Sequence, residues 1–213
     1  MKHAIQYSCD SHQYLTTTPR KKNICNTLLI IDTGSVLIRL GKYEHIISAG
    51  EAFWIPFDCL HSLSIMPNSK LRTLSFSIRL KDSFPSDAGY FQATILLLSL
   101  CNKLDSLNGS KENHKKNILK VICDEATQCK PNLTIKPDSI ALTTWLKSLP
   151  NETGSLTLST VSLSFSELSL VLKVRESIKM TKSGVTNDKI VALLFNGNIE
   201  AYNQSLLCVL GEN

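Results

Sequence analysis

The chain reads as an α+β protein: an antiparallel β-barrel, then amphipathic helices and a small C-terminal segment. Three observations predict this. Short apolar runs recur roughly every eight residues between Thr27 and Leu80, each closed by Gly, Pro or Asn. After Pro85 the apolar spacing becomes helical. Strands gathered ahead of helices, rather than alternating with them, favour antiparallel sheets over βα units.

The elements follow in order. A polar lead, 1–23, ends in Arg20-Lys21-Lys22. Strands are then expected at Thr27–Asp32, Ser35–Leu40, Tyr43–Ser48, Glu51–Ile55, Leu60–Met66 and Leu71–Leu80, with turns at Thr33-Gly34, Gly41-Lys42, Ala49-Gly50, Pro56-Phe57-Asp58 and Pro67-Asn68-Ser69. Together with the lead they make a domain over 1–85. A helical region over 86–150 holds a leucine-rich helix at Tyr90–Leu104 and an amphipathic one at Lys111–Cys129, with Ile118, Leu119, Ile122 and Ala126 on one face. A third helix starts at Pro137, whose fixed φ suits a first turn, and stops at Pro150.

The region 151–213 carries two conflicting patterns. Leu156, Leu158, Val161, Leu163 and Phe165 alternate with Ser and Thr, which is strand periodicity, and serines compete with helical backbone bonding. The same stretch, Leu156–Lys173, can also be laid out as two short helices. Beyond it, Thr186–Asn196 and Ile199–Leu210 read as helices, the first begun by Thr186-Asn187-Asp188 and ended at Asn196-Gly197.

Composition is that of a globular chain, with 43% hydrophobic and 19% charged residues, so disorder is excluded. The net charge of +5 divides as +3 for 1–90, +3 for 91–150 and −1 for 151–213. The C-terminal region is therefore not basic and is expected to bind phosphates poorly. Seven cysteines (Cys9, Cys25, Cys59, Cys101, Cys123, Cys129, Cys208) form no CxxC pair and no zinc spacing, which points to reduced, mostly buried thiols and a cytoplasmic home. The first ten residues lack the apolar core of a signal peptide. The most apolar run, Ile95 to Leu100, falls far short of the roughly 20 residues that span a bilayer, so no membrane partner is expected.

From Gly50 the sequence reads G-E-A-F-W-I-P-F-D-C-L-H. It resembles the second cupin motif, G-x5-P-x-G-x2-H, with Asp58 at the inner glycine. Gly50 turns the chain into a strand, Pro56 ends it, and Asp58 tolerates the turn or left-handed geometry the glycine would supply. The resemblance implies a cupin-like barrel with His61 pointing into its mouth. Metal-dependent cupins carry a first motif as well, and here it fails. With Gly34 as its last glycine, the glutamate position falls on Thr27 and the histidine pair among Arg20, Lys21, Lys22 and Asn23, while His12 and His45 are off the spacing. One histidine cannot hold a divalent ion, so no metal and no cofactor is expected.

A metal-free barrel followed by amphipathic helices resembles the N-terminal half of AraC/XylS-type transcription regulators over residues 24–150. That resemblance implies a small-molecule or fatty-acid effector, a homodimer and a DNA-reading C-terminal half. Candidate effector contacts are Arg39, Trp54, His61 and Arg72. The arginines could clamp a carboxylate or lie solvated on an outer face, and Trp54 could pack in the core or stack on a ligand. His61 could equally be a satisfied rim residue. The dimer seam falls on Ile118, Leu119 and Ile122, which would equally pack the helix on its own barrel.

A complete DNA-binding half needs roughly a hundred residues, and 63 follow Pro150. At most one helix-turn-helix fits, with Leu158, Val161, Ser162 and Phe165 in its first helix and Ser166, Leu170 and Lys173 in its second; DNA contacts would come from Ser166, Lys173 and Arg175. A shortened regulator could instead act on a full-length regulator as its partner, through the same dimer helix. A stand-alone binding or interaction module is the other non-enzymatic reading. No catalytic dyad, nucleophile elbow, P-loop or HExxH motif is present, so an enzyme is not expected.

Overall fold

The computed structural model describes residues 4–107, 112–149, 156, 158 and 163–211. Among these residues, ten strands come first: β1 (Ile5–His12), β2 (Thr16–Thr17), β3 (Lys21–Lys22), β4 (Asn26–Thr33), β5 (Ser35–Leu40), β6 (Tyr43–Ser48), β7 (Ala52–Ile55), β8 (Leu60–Ile65), β9 (Ser69–Phe76) and β10 (Gly89–Phe91). Six helices follow: α1 (Ile95–Asp105), α2 (Glu112–Thr127), α3 (Pro137–Ser148), α4 (Phe165–Lys182), α5 (Asn187–Leu194) and α6 (Ile199–Leu210). The α+β class and the order of strands before helices match the sequence expectation.

Two antiparallel sheets pack face to face. The first has the order β1-β9-β4-β7-β10, and the second runs β2-β8-β5-β6 with β3 also on β8. Because side chains alternate along a strand, each sheet has an inner and an outer face. Leu29, Ile31, Val36, Ile38, Ile47, Phe53, Ile55, Ile65 and Leu71 fill the space between the sheets. The alternate residues Leu28, Ile30, Ala52, Trp54, Leu74 and Phe76 face outward from the first sheet onto Leu97 and Cys101 of α1 and Ile118, Leu119 and Ile122 of α2. On the outer side of the second sheet, Leu37 and Ile46 meet Leu142 of α3 and a cluster built from α4, α5 and α6.

Two turns show what the backbone demanded. Gly34 has φ +74°, and a Cβ there would lie 2.2 Å from the Ser69 hydroxyl, so both conformation and space require glycine. Asp58, in the glycine position of the motif, stands at φ +63°, the left-handed geometry its short polar side chain tolerates.

Three segments differ from the sequence reading. The polar lead is part of the sheets: β1 pairs along its full length with β9, from Ile5 opposite Phe76 to His12 opposite Ser69. The predicted helix at 90–104 begins only at Ile95, because Gly89-Tyr90-Phe91 pair with Trp54-Phe53-Ala52 and extend the first sheet beyond residue 85. Within 156–173, the residues from Phe165 onward belong to one uninterrupted helix. Ser164 caps it, accepting from the Glu167 amide while the Glu167 carboxylate returns to the Ser164 amide. Phe165 and Ser166, assigned to different helices from sequence, thus share its first turn. Val161 and Ser162 lie outside the described residues.

Candidate effector cleft

The edge strand β1 and the first turns of α2 bound a cleft of about 970 Å³. One wall is a ladder of small polar groups. Gln6 pairs with Ser75 and Ser8 with Thr73, so all four project to the inner face of the first sheet, while Ile5 and Tyr7 on the same strand face outward to α2, and the cleft wraps the β1 edge. Ile5, Leu80 and Leu119 add apolar surface, and Lys115, Lys116 and Lys120 stand along the α2 side. Glu112 pairs with Lys116 at 3.4 Å on the exposed helix face. On the α2 side, three ammonium groups beside the apolar Ile5, Leu80 and Leu119 suit an amphipathic anion: charge at the α2 rim, chain against the apolar surface. The Tyr7 hydroxyl is committed elsewhere. It donates to Asp105, and burial, reinforced by that carboxylate, pushes its pKa well above the ordinary tyrosine value.

The four candidate effector contacts do not converge. Trp54 is fully buried on the outer face of the first sheet, donates from Nε1 to the Pro85 carbonyl at 2.9 Å and stacks on Phe84. Arg72 is on that outer face too, held by Asp32 at 3.2 Å and by Asp105 at 3.1 Å and Asn102 at 2.8 Å of α1. Its role there is to clamp β9 to α1. Arg39 shares the outer face of the second sheet with Leu37. His61 alone faces inward, at the rim, where its Nδ1 lies 3.0 Å from the Cys59 carbonyl. The strand alternation that separates these residues is a period-two rule, and it could have been applied to them from sequence.

Gly50 lies in the turn from β6 to β7, Pro56 opens the bend from β7 to β8, and His61 is the second residue of β8. The β7–β8 bend is fastened by the Phe57 amide donating to Asn26 Oδ1 at 2.9 Å and the Asp58 amide donating to the Asn23 carbonyl at 2.8 Å. Among the described residues, no three His, Cys, Asp or Glu side chains are grouped to hold a metal ion. The thiols of Cys101 and Cys123 sit in the α1/α2 seam, where burial raises them to about 11 and about 12, well away from nucleophilic reactivity.

The predicted dimer seam turns inward. Ile118, Leu119 and Ile122 are buried against the chain's own first sheet. Among the DNA candidates, Ser166 is exposed in the first turn of α4 and Lys173 is half-buried. Arg175 has no exposed surface at all: it pairs with Glu44 of β6 at 3.2 Å and with Glu176 at 2.9 Å, so it faces the sheet and no phosphate can reach it here. The cleft residues on β1 were missed because the lead looked merely polar, although Ile5, Tyr7 and Cys9 alternate with Gln6, Ser8 and Asp10 in strand fashion.

No family model and no curated protein matches the sequence. Several solved structures are similar in fold. An apo variant of ToxT from Vibrio cholerae has a TM-score of 0.43 at 10% identity, over 99% of this chain and 95% of that one. Wild-type ToxT with a bound unsaturated fatty acid gives 0.40 at 10% identity, over 96% and 91%. A cupin superfamily protein from Desulfitobacterium hafniense gives 0.33 at 15% identity, over 35% of this chain and 68% of that one.

Proposed function

We propose that this protein is a non-enzymatic, effector-sensing regulator of the AraC/XylS type whose effector, a small amphipathic anion such as a fatty acid, binds in the cleft between β1, β9 and α2. The cleft carries the reading. The centre of the space between the sheets is filled by the protein's own aliphatic side chains, which directs a ligand to the β1 edge, where lysines and apolar residues meet. The chain works as a homodimer in a reducing cytoplasm, and its C-terminal helices convey the bound state to a DNA or protein partner.

A titration of the full chain with oleate, followed by intrinsic fluorescence, tests the reading. Saturable binding is expected, weakened at least tenfold by the paired changes Lys115→Glu and Lys116→Glu. Equal binding by that variant, or none by the parent, removes the assignment.

A second reading is favoured by the burial of Arg175 and the −1 charge of 151–213. The C-terminal helices are committed to the sheet, which suits a stand-alone module that modulates a full-length regulator. A gel shift on promoter DNA at two salt concentrations separates the two. A DNA reader shows a steep salt slope, whereas a modulating module leaves DNA unshifted and changes the mobility of a regulator–DNA complex.

A further inference from the structure

One end of the sandwich gathers the turns from β3 to β4, β5 to β6 and β7 to β8, with the segment leaving β9. Register brings them together: Lys22 pairs with Leu60, both Lys21 and Leu40 pair with His61, and Asn26 pairs with Phe76. The Asn23 amide donates to the Cys59 carbonyl at 2.9 Å, tying two of the turns directly. At this end Ile24 is 74% exposed, Ile78 57%, Phe57 49% and Leu60 45%. Around them stand Lys21, Lys22, Lys42, Arg79 and Lys81, all exposed, against the carboxylates of Asp58, paired with Lys22, and Asp82. In the opposite turns, at 33–35, 48–51 and 66–69, no large apolar side chain is exposed.

We infer that this end, where Ile24, Phe57, Leu60 and Ile78 project among the lysines and Arg79, is a docking surface for an anionic lipid bilayer. Single exposed apolar residues are ordinary, but a group drawn from separate turns to one end is a patch. A bilayer interface takes both components: aliphatic and aromatic side chains enter below the headgroups while ammonium and guanidinium groups meet lipid phosphates. Single-stranded nucleic acid would call for a row of stacking platforms, whereas the exposed aromatic rings here are Phe57 and Tyr43, and the other exposed apolar groups, Ile24, Leu60 and Ile78, are aliphatic. Protein interfaces are depleted in lysine, which supplies all but one of the cations here. Attachment is peripheral, since no helix among the described residues is long and apolar enough to cross a membrane.

The test is co-sedimentation of the full chain with vesicles of phosphatidylcholine alone and of equal parts phosphatidylcholine and phosphatidylglycerol. Binding is expected on the anionic vesicles, at least tenfold over the neutral ones and weakened by salt. Phe57→Ser and Ile24→Ser should each reduce it roughly tenfold, the weight of one inserted apolar side chain. Both positions are exposed, so unchanged melting curves are expected alongside. The emission of Phe57→Trp should shift to the blue when anionic vesicles are added, by more than that of the parent. The proposal is overturned if the parent stays in the supernatant, if the serine variants bind undiminished, or if the Phe57→Trp emission does not move while the protein sediments. Phe57- and Ile24-dependent capture by duplex DNA, without vesicle binding, would assign the surface to nucleic acid instead.

Discussion

The outer faces of the two sheets carry helices fastened by different means. On the first sheet, α1 and α2 rest on a continuous apolar layer around Trp54, Phe76 and Ile122, with Arg72 as a lateral clamp. On the second, the exposed edge of β6 is capped by side chains of α3: the Glu44 amide donates to Thr143 Oγ1 at 3.1 Å and the Ile46 amide to Ser139 Oγ at 3.3 Å. The same strand holds α4 through the buried Glu44 and Arg175 pair. An apolar layer is tolerant of small shifts in register, whereas hydrogen bonds and ion pairs are satisfied in one arrangement. The first face is suited to permanent support, and the second to positioning the C-terminal helices in a defined place.

The largest expected effect is on the apolar side. Trp54→Ala removes a fully buried indole and should cost about 4 kcal/mol, read as a fall in the urea midpoint. Trp54→Phe should cost far less, since the replacement ring still meets Phe76 and Phe84.

Next comes the ion pair. Arg175→Met leaves Glu44 buried beside Lys179 alone and should cost about 3 kcal/mol, while the double variant Glu44→Gln, Arg175→Met should recover much of that loss. Additive losses would mean that the two faces do not differ as described. Ser139→Ala and Thr143→Val are smaller, about 1 kcal/mol each, because each leaves one β6 amide without its acceptor. Hydrogen exchange at the Glu44 and Ile46 amides reports them directly.

How legible each face was in the sequence follows from the same contrast. The strands from Thr27 to Leu80 and the α2 seam were readable because alternation and helical spacing are local properties of apolar residues. The polar fastening was not. Arg175 looked like a surface cation because nothing near it in sequence reveals a carboxylate on β6, 131 residues away. Arg72 was similarly opaque, its partners lying on β4 and α1. The cleft was half visible: the lysines of α2 stood out, but the strand they face was hidden in a lead whose residues are individually polar and only jointly periodic.

The smallest effect comes from His45, which projects from β6 into the interior between Phe53 and Tyr90 and is 1% exposed, with no hydrogen-bond partner at Nδ1. Burial lowers its pKa, the Lys136 ammonium works in the same direction, and Glu44 opposes both. The unfolded chain therefore takes up a proton that the folded chain resists. Stability should be level above about pH 6.5 and fall below it, by at most about 1.4 kcal/mol per pH unit, until the folded-state pKa is passed. His45→Phe should flatten that part of the profile. The loss should also be local to the polar side: on moving from neutral to about pH 5.5, where an ordinary histidine is charged, amide exchange should quicken in β6 and α3 before it does in β4 and β9. A simultaneous rise across both sheets would show that the second face opens no more readily than the first.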